Sequence, residues 1–345
     1  MMNIEREHFL TQLELLRPGL SPKEIIEQSS CFVFIDGLIR TYNDEVSCSI
    51  KSPLDIQGAV QAQPLLNTIS KIPTSHISIE LGDGEFLIKD KKRNAGIRME
   101  AQVLLPFQSV ELPEKWKKIN PQEFSDAVSL VTKCASKDES RFDLTCVHVT
   151  SEYIEAADTT QMCRHKIDLP VKQEFIVRAV SLNHIIGLGM SRISETPNWI
   201  HFKNPAGLVM SCRRQTDEYP KLSKFLKVEG ELSTFPKGVS VAAEAASVFS
   251  SENADNDKIT VVVSPNKDGK KGRLKVLGEG ASGWYSEVKN IEYHGKPLKF
   301  RMSPDMLIGL LKQHQDCYIN DTRLMIDTGN YVYATALGAA DEKDE

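Results

Sequence analysis

Phe300-Arg301-Met302-Ser303-Pro304-Asp305-Met306-Leu307-Ile308-Gly309-Leu310-Leu311-Lys312 is the stretch that decides how this chain is read. It begins as the end of a strand. Ser303 then suits an N-cap, Pro304 suits the first helical position, and a short apolar helix follows. Two earlier stretches have the same grammar, Val177-Arg178-Ala179-Val180-Ser181-Leu182-Asn183-His184-Ile185-Ile186-Gly187-Leu188 and Val60-Gln61-Ala62-Gln63-Pro64-Leu65-Leu66-Asn67-Thr68-Ile69-Ser70-Lys71. The copies lie roughly 120 residues apart, which is the size of a domain and too long for a solenoid repeat. Three copies of one small domain is the reading that follows.

The 345 residues suit two or three domains. A hydrophobic share of 41% and a charged share of 26% are those of an ordinary globular protein. The net charge of −5 gives no global attraction to nucleic acid, but it leaves room for a local basic face. No apolar run reaches the ~18 residues of a membrane-spanning helix, and Met1–Phe9 is charged where a signal peptide is apolar. The seven cysteines are scattered without CxxC spacing and sit in apolar runs, so free buried thiols in a reducing cytoplasm are expected.

Around the repeated unit the remaining elements fall in the same order. Glu5–Leu16 has the periodicity of a helix, and Cys31–Ile35, Asp36-Gly37 and Leu38–Tyr42 read as a hairpin with a tight turn. Further strands are expected near Val46–Ile50, Ile77–Leu81, Glu85–Lys89 and Gly96–Val103, before a polar connector at Glu111–Lys118. Pro121–Ala135 starts the second round as an amphipathic helix, with strands at Leu144–Val149, Tyr153–Ala157, Cys163–Leu169 and Leu208–Arg213. In the third round a strand near Val239–Ala242 precedes a helix over Ala243–Ser250. Strands at Ile259–Val263, Leu274–Leu277, Trp284–Ile291, Thr322–Asp327 and Tyr331–Ala336 complete it. The boundaries are 1–114, 115–230 and 231–337, with an acidic, disordered tail at 338–345. The fold class is α+β, with two short helices per domain laid on antiparallel sheets.

This order of elements, repeated over Ile4 to about Leu337, resembles the bacterial-type DNA polymerase sliding clamp, the β subunit or processivity factor. The opening Ile4-Glu5-Arg6-Glu7-His8-Phe9-Leu10, the turn Leu104-Leu105-Pro106 and the segment Asp217-Glu218-Tyr219-Pro220 are similar to family features, the last to "x-G-x-[YF]-P". Ala156-Ala157-Asp158-Thr159-Thr160-Gln161-Met162 departs from the family's "A-T-D-G-H-R-L", which marks a divergent member, phage-encoded or otherwise, with an altered ligand preference. The resemblance implies a head-to-tail homodimer, a ring of six domains, encircling duplex DNA without reading its sequence and tethering a polymerase. It implies no catalysis, no cofactor and a cytoplasmic location. A clamp-fold scaffold that binds peptides without encircling DNA is the alternative.

A sliding ring holds phosphates through Lys and Arg without reading bases. Candidates on or beside the helices are Arg6, Lys23, Lys71, Lys133, Lys137, Arg178, Arg192 and Lys312, with Lys23 matching a DNA-contacting arginine of the family. Ala242–Ser251 has no basic residue and includes Glu244, so either the hole is less positive there or Lys270-Lys271 supplies the charge. By resemblance, a pocket for short apolar peptides of the polymerase and clamp loader is walled by Arg141, Leu144, Ala157, Thr159, Met162, Val332, Tyr333 and Ala334. The dimer joint is carried over to Val248 and Phe249, with Ile97 and Met99 opposite. There is no HExxH, Walker loop or GxSxG, and His148, His165, His184 and His201 lack metal-ligand spacing.

Overall fold

The computed structural model describes residues 2–111, 113–227, 230–250, 258–266, 271–311, 314–320 and 322–336. The chain starts with β1 (Met2–Glu5), α1 (Arg6–Leu15), β2 (Cys31–Ile35), β3 (Leu38–Tyr42), β4 (Val46–Lys51), β5 (Gly58–Gln61), α2 (Ala62–Lys71), β6 (His76–Gly82), β7 (Glu85–Lys89) and β8 (Asn94–Glu100). It continues with β9 (Lys117–Lys118), α3 (Pro121–Val131), β10 (Cys146–Val149), β11 (Tyr153–Ala157), β12 (Gln161–Lys166), β13 (Phe175–Arg178), α4 (Ala179–Asn183), β14 (Arg192–Glu195), β15 (Trp199–Lys203) and β16 (Val209–Arg213). The last stretch holds β17 (Glu231–Thr234), α5 (Val239–Ser250), β18 (Ile259–Pro265), β19 (Gly272–Gly280), β20 (Gly283–Ile291), β21 (Leu298–Met302), α6 (Pro304–Leu311), β22 (Asp316–Ile319), β23 (Arg323–Asp327) and β24 (Tyr331–Ala336).

The repeated sequence unit is a repeated structural unit. Each copy is a strand that feeds straight into a helix: β5 into α2, β13 into α4, and β21 through Ser303 into α6. The Ser303 carbonyl accepts from Leu307 N at 3.1 Å, the first bond of α6, with Pro304 at a position where no N–H is needed. In α2, Leu65, Leu66 and Ile69 are buried, the spacing that places three side chains on one face. Burying each contributes about 1.5–3 kcal/mol.

Two compact units result, Met1–Val128 with Val149–Ser151 and Leu169–Asp217, and Ser129–His148 with Glu152–Asp168 and Glu218–Glu345. The first is built on one sheet in the order β1-β6-β7-β8-β5-β2-β3-β4-β16-β15-β14-β9. Asp36 and Gly37 both take positive φ, 52° and 69°, the twist that closes a two-residue hairpin between β2 and β3. β4 pairs with β16 from Val209↔Ser49 to Cys212↔Val46, so sequence on both sides of position 114 shares one sheet. Trp199 anchors the core below it. It is fully buried among Val33, Tyr42 and Phe107, and its Nε1 donates to the Ser109 carbonyl at 3.0 Å.

The second unit holds the run β10-β11-β12-β24-β23-β22-β17 and a four-stranded sheet, β20-β19-β18-β21. β12 and β24 pair from Gln161↔Thr335 to His165↔Tyr331, so sequence on both sides of position 230 also shares a sheet. These two continuous sheets are why the compact units cut across the boundaries read from sequence. α5 lies against β19 with its backbone close enough that a Cβ on Gly278 would sit 2.0 Å from the Ala246 carbonyl oxygen. Only glycine permits that approach.

Some elements differ from the sequence reading. Val239–Ala242 is the first turn of α5 and not a strand, because Val239, Ala242, Ala243 and Ala246 form one buried helical face. α4 stops at Asn183, short of Leu188; Gly187 and Gly189 with positive φ turn the chain away. The connector read at Glu111–Lys118 contributes the short strand β9, and β17 precedes α5 where the sequence reading placed no strand. The tail at 338–345 lies outside the described residues. All seven cysteines are buried and free of disulfides, and among the described residues no helix is long and apolar enough to cross a membrane.

Candidate functional site

A concavity of the second unit, about 440 Å³, grows from the β11–β12 hairpin. Asp158 shapes the turn. Its Oδ1 accepts from Thr160 N at 2.6 Å, Thr160 Oγ1 at 2.9 Å and Gln161 N at 2.8 Å, and its Oδ2 accepts from Gln161 Nε2 at 3.0 Å. Ala336 N donates to the Thr160 carbonyl at 2.7 Å, tying the end of β24 to the same turn. The register Met162↔Ala334 then sets two small or flexible apolar side chains side by side. With Leu144, Ala157 and Leu222 they form one buried cluster, and Tyr219 and Leu226 pack against it. Pro220, Phe225 and Arg323 complete the rim, the Arg323 guanidinium 5.1 Å above the Phe225 ring.

Behind the wall, Glu155 is 2% exposed and shared by Arg164 and His148. It accepts from Arg164 Nε at 2.8 Å and faces His148 Nδ1 at 2.9 Å. Arg164 also reaches Ser223 Oγ at 3.2 Å, and the Tyr219 ring stacks on His148 at 5.1 Å. A buried carboxylate needs such partners, since an unpaired one costs several kcal/mol. The network therefore fixes residues 219–226, the pocket's outer wall, to β11 and β12. Burial pushes the Tyr219 hydroxyl well above the usual tyrosine range, so it stays neutral.

Six of the eight pocket residues read from sequence line this concavity: Arg141, Leu144, Ala157, Thr159, Met162 and Ala334. Leu144 and Met162 do so while also belonging to the core, each 4% exposed. Val332 and Tyr333 do not line it. The lining takes the last residues of β24, while Val332 pairs with Arg164 and Tyr333 is fully buried with its hydroxyl on Gln161 Oε1 at 3.1 Å. The sequence reading missed Leu222, Phe225 and Arg323. Their sequence signal was faint: an irregular segment after Pro220, and one arginine opening a strand.

The candidate DNA-facing cations fall into different settings. Lys23, Lys71, Lys133 and Lys137 are exposed, Lys71 as the last residue of α2. Arg6 is mostly buried, with Nε on the Thr74 carbonyl at 3.1 Å and a guanidinium nitrogen on Glu7 at 2.8 Å. Arg178 is half-buried at the junction of β13 and α4. Arg192 is on a strand and not a helix, in register with Lys118 and Lys203. Lys312 lies outside the described residues, as does Lys270; Lys271 is exposed. On α5, the exposed positions include Val241, Glu244 and Val248, with no cation.

Of the residues read as the ring joint, Val248 is 62% exposed and Phe249 is half-buried beside Gly283. Ile97 and Met99 are interior, at 7% and 9%, because β8 alternates and its outward positions are Gly96, Arg98 and Glu100. They present no apolar surface. Among the exposed apolar residues that the sequence reading did not single out are Trp284 and Val288 on β20, an edge strand of the four-stranded sheet. Among the described residues no cluster of His, Cys, Asp and Glu could hold a metal ion.

The fold is that of the β subunit of bacterial DNA polymerase III, the DNA sliding clamp, and the likeness extends over nearly the whole chain. The β subunit from Pseudomonas aeruginosa matches with a TM-score of 0.76 at 14% identity, over 98% of this chain and 100% of that one. The β subunit from Streptococcus pyogenes matches at 0.75 and 17% identity, over 98% and 99%. A β subunit from Eubacterium rectale matches at 0.78 and 13% identity, over 97% and 98%. No family model and no curated protein matches the sequence. The likeness is one of fold, kept at a sequence distance that marks a divergent chain.

Proposed function

We propose that this chain is a DNA sliding clamp: two copies close head to tail into a ring of three domains each, the ring encircles duplex DNA, and partner proteins dock on it through short apolar peptides. The observation that carries the proposal is the correspondence with bacterial β subunits over 98% of this chain and 99–100% of theirs. The apolar concavity beneath Arg323 supports the docking step, because a site of 300–1,000 Å³ with an apolar floor and few polar groups suits two or three side chains of a peptide. Exposed Lys23, Lys71, Lys133 and Lys137 supply sequence-independent phosphate contacts. The edge of β20, which exposes Trp284 and Val288 on the face away from α5, is offered together with Val248 of α5 as one half of the joint between copies. The work described is tethering and calls for no catalytic group or cofactor.

One observation favours a second reading, a clamp-fold scaffold that binds peptides without encircling DNA: α5 exposes valines and Glu244 where phosphate contacts would need cations. The solution mass by light scattering, over a range of concentrations, separates the two. A mass of two chains supports the ring. A single-chain mass throughout overturns it in favour of the scaffold, and three chains per particle would contradict both.

A further inference from the structure

Lys118, Arg192, Lys203, Val209, Ser49 and Arg40 stand opposite one another in turn, each paired with the next across β9, β14, β15, β16, β4 and β3. Partners in an antiparallel register share a face, so the six side chains form one row across the sheet. The next row shows which face this is. There Ile193, Phe202, Met210, Cys48 and Thr41 are all buried. Phe202 stacks on Phe124 of α3 at 5.3 Å, and Thr41 Oγ1 donates at 2.8 Å to the Leu16 carbonyl, just past α1. The row with the cations therefore faces away from these helices. Lys51, two residues beyond Ser49 and opposite Leu38, joins it.

Lys51, Lys118 and Arg192 are exposed, and Arg40 and Lys203 are half-buried. None of the five makes an ion pair among the described residues. The neighbouring acids are engaged elsewhere. Glu195 shares the face of Ile193 and pairs with Lys117 at 3.9 Å, and Asp44 is held by Arg213. Asp36, in the exposed β2–β3 turn, is the carboxylate whose field reaches Arg40. Strands lie about 4.8 Å apart, so the row runs about 24 Å, with Lys118, Arg192 and Lys203 within about 10 Å of one another. Two of its cations lie on aromatic rings: Lys203 Nζ is 5.8 Å from the centre of the half-buried Trp116 ring, and the Arg40 guanidinium is 4.0 Å over Phe107.

We propose that this face of the sheet binds single-stranded nucleic acid, its phosphates along the row from Lys118 to Arg40 and a base against Trp116. Such sites combine cations that track a backbone with aromatic faces on which bases stack, and both are present here. The chain as a whole carries a net charge of −5, so the attraction is local to this face. A single strand is flexible enough to follow a straight row across a twisted sheet, whereas a stiff duplex meets such a row only where it crosses it. An acidic peptide would satisfy the cations but leave the Trp116 ring unused. The face is turned away from α1 and α3, so the inference does not depend on whether two copies close into a ring.

The test is fluorescence anisotropy of a labelled oligothymidylate of twelve nucleotides with the full chain. Five phosphate contacts on a single strand should make the affinity fall about a hundredfold between 50 and 200 mM salt. Lys118→Gln with Arg192→Gln, both exposed and without ion pairs, should reduce that fall to about twentyfold. Trp116→Leu should weaken binding about tenfold and leave the salt dependence as it is. Lys23→Glu with Lys133→Glu should change neither. No binding at 50 mM salt overturns the proposal, and so does a salt dependence unchanged in the Lys118 and Arg192 double variant. Loss of binding in the Lys23 and Lys133 variant would place the strand elsewhere and overturn it. An oligoglutamate of twelve residues that displaces the strand at equal concentration would make this a surface for acidic peptides, and a duplex of twelve base pairs bound equally well with the same response to Trp116→Leu would remove the single-strand reading.

Discussion

Arg164 and Glu155 form a buried ion pair, with a guanidinium nitrogen 2.7 Å from Glu155 Oε2 and side chains 19% and 2% exposed. The pair matters because Arg164 continues to Ser223 and so fastens the wall of the pocket. Breaking a buried pair from one side leaves an uncompensated charge and costs about 3 kcal/mol or more, while replacing both partners by apolar residues is often near neutral. Glu155→Gln should therefore lower unfolding free energy in urea by about 3 kcal/mol, and Arg164→Met alone by a similar amount. Glu155→Leu with Arg164→Met should recover most of the loss. It should still weaken peptide binding, since residues 219–226 lose their tether.

The pocket residues differ in how far they serve the core. Phe225 is 50% exposed, so Phe225→Ala should weaken an apolar peptide with little change in stability. Met162 is 4% exposed and sits in the cluster with Leu144 and Ala334, so Met162→Ala should weaken binding and also cost about 2–3 kcal/mol of stability through the cavity it leaves. Titration calorimetry and urea unfolding on both variants separate the roles. Unchanged affinity in both would rule this concavity out as the peptide site.

His201 provides the pH dependence. It is 1% exposed, with Nδ1 on Ser211 Oγ at 2.7 Å and Nε2 on Thr196 Oγ1 at 3.0 Å. Burial pulls its pKa down from 6.5 to about 4, with Glu111 acting weakly the other way. Because the folded value is depressed, the unfolded chain takes up the proton first as the pH falls. The stability that neutral His201 contributes is present above pH 6.5 and is lost as the pH drops towards 4. About 2 kcal/mol should go between pH 7 and pH 5. His201→Gln, which can keep both hydrogen bonds, should flatten that part of the curve. An equally steep curve in the variant would assign the loss elsewhere.

Gly278→Ala should push α5 off β19, because the added Cβ has backbone and not a flexible side chain in its way. Such overpacking costs about 1–3 kcal/mol. Since α5 carries Val248 and Phe249, the variant should also self-associate more weakly than wild type when mass is followed on dilution. A folded variant with unchanged self-association would separate α5 from the joint.

Much of the fold was legible because local and global preferences agree. Asp36-Gly37 between two apolar runs can form little but a tight hairpin, and β2 and β3 are where the pattern placed them. The strand-into-helix unit was legible three times through Ser303-Pro304, Gln61-Ala62 and Arg178-Ala179. What stayed hidden depends on tertiary contact. Val239–Ala242 is rich in β-branched valine, yet packing against β19 makes it helical. Alternation in β8 showed that one face is buried, but only the neighbouring Phe86 and Val60 show that it is the face of Ile97 and Met99. The pairing of Arg323 with Phe225 joins residues far apart in the chain, and no period marks it.

The most direct test of the ring is topological. The chain is diluted until it is monomeric, mixed with nicked circular DNA, concentrated, and passed through a sizing column at high salt before and after the circle is cut once. Phosphate contacts alone weaken steeply with salt, whereas a closed ring is held by its topology. A ring that encircles DNA elutes with the intact circle and is released by the cut, and Lys23→Glu with Lys133→Glu lowers the slope of binding against salt on linear DNA. Protein that leaves circle and linear DNA alike at high salt, or stays equally on both, would contradict it.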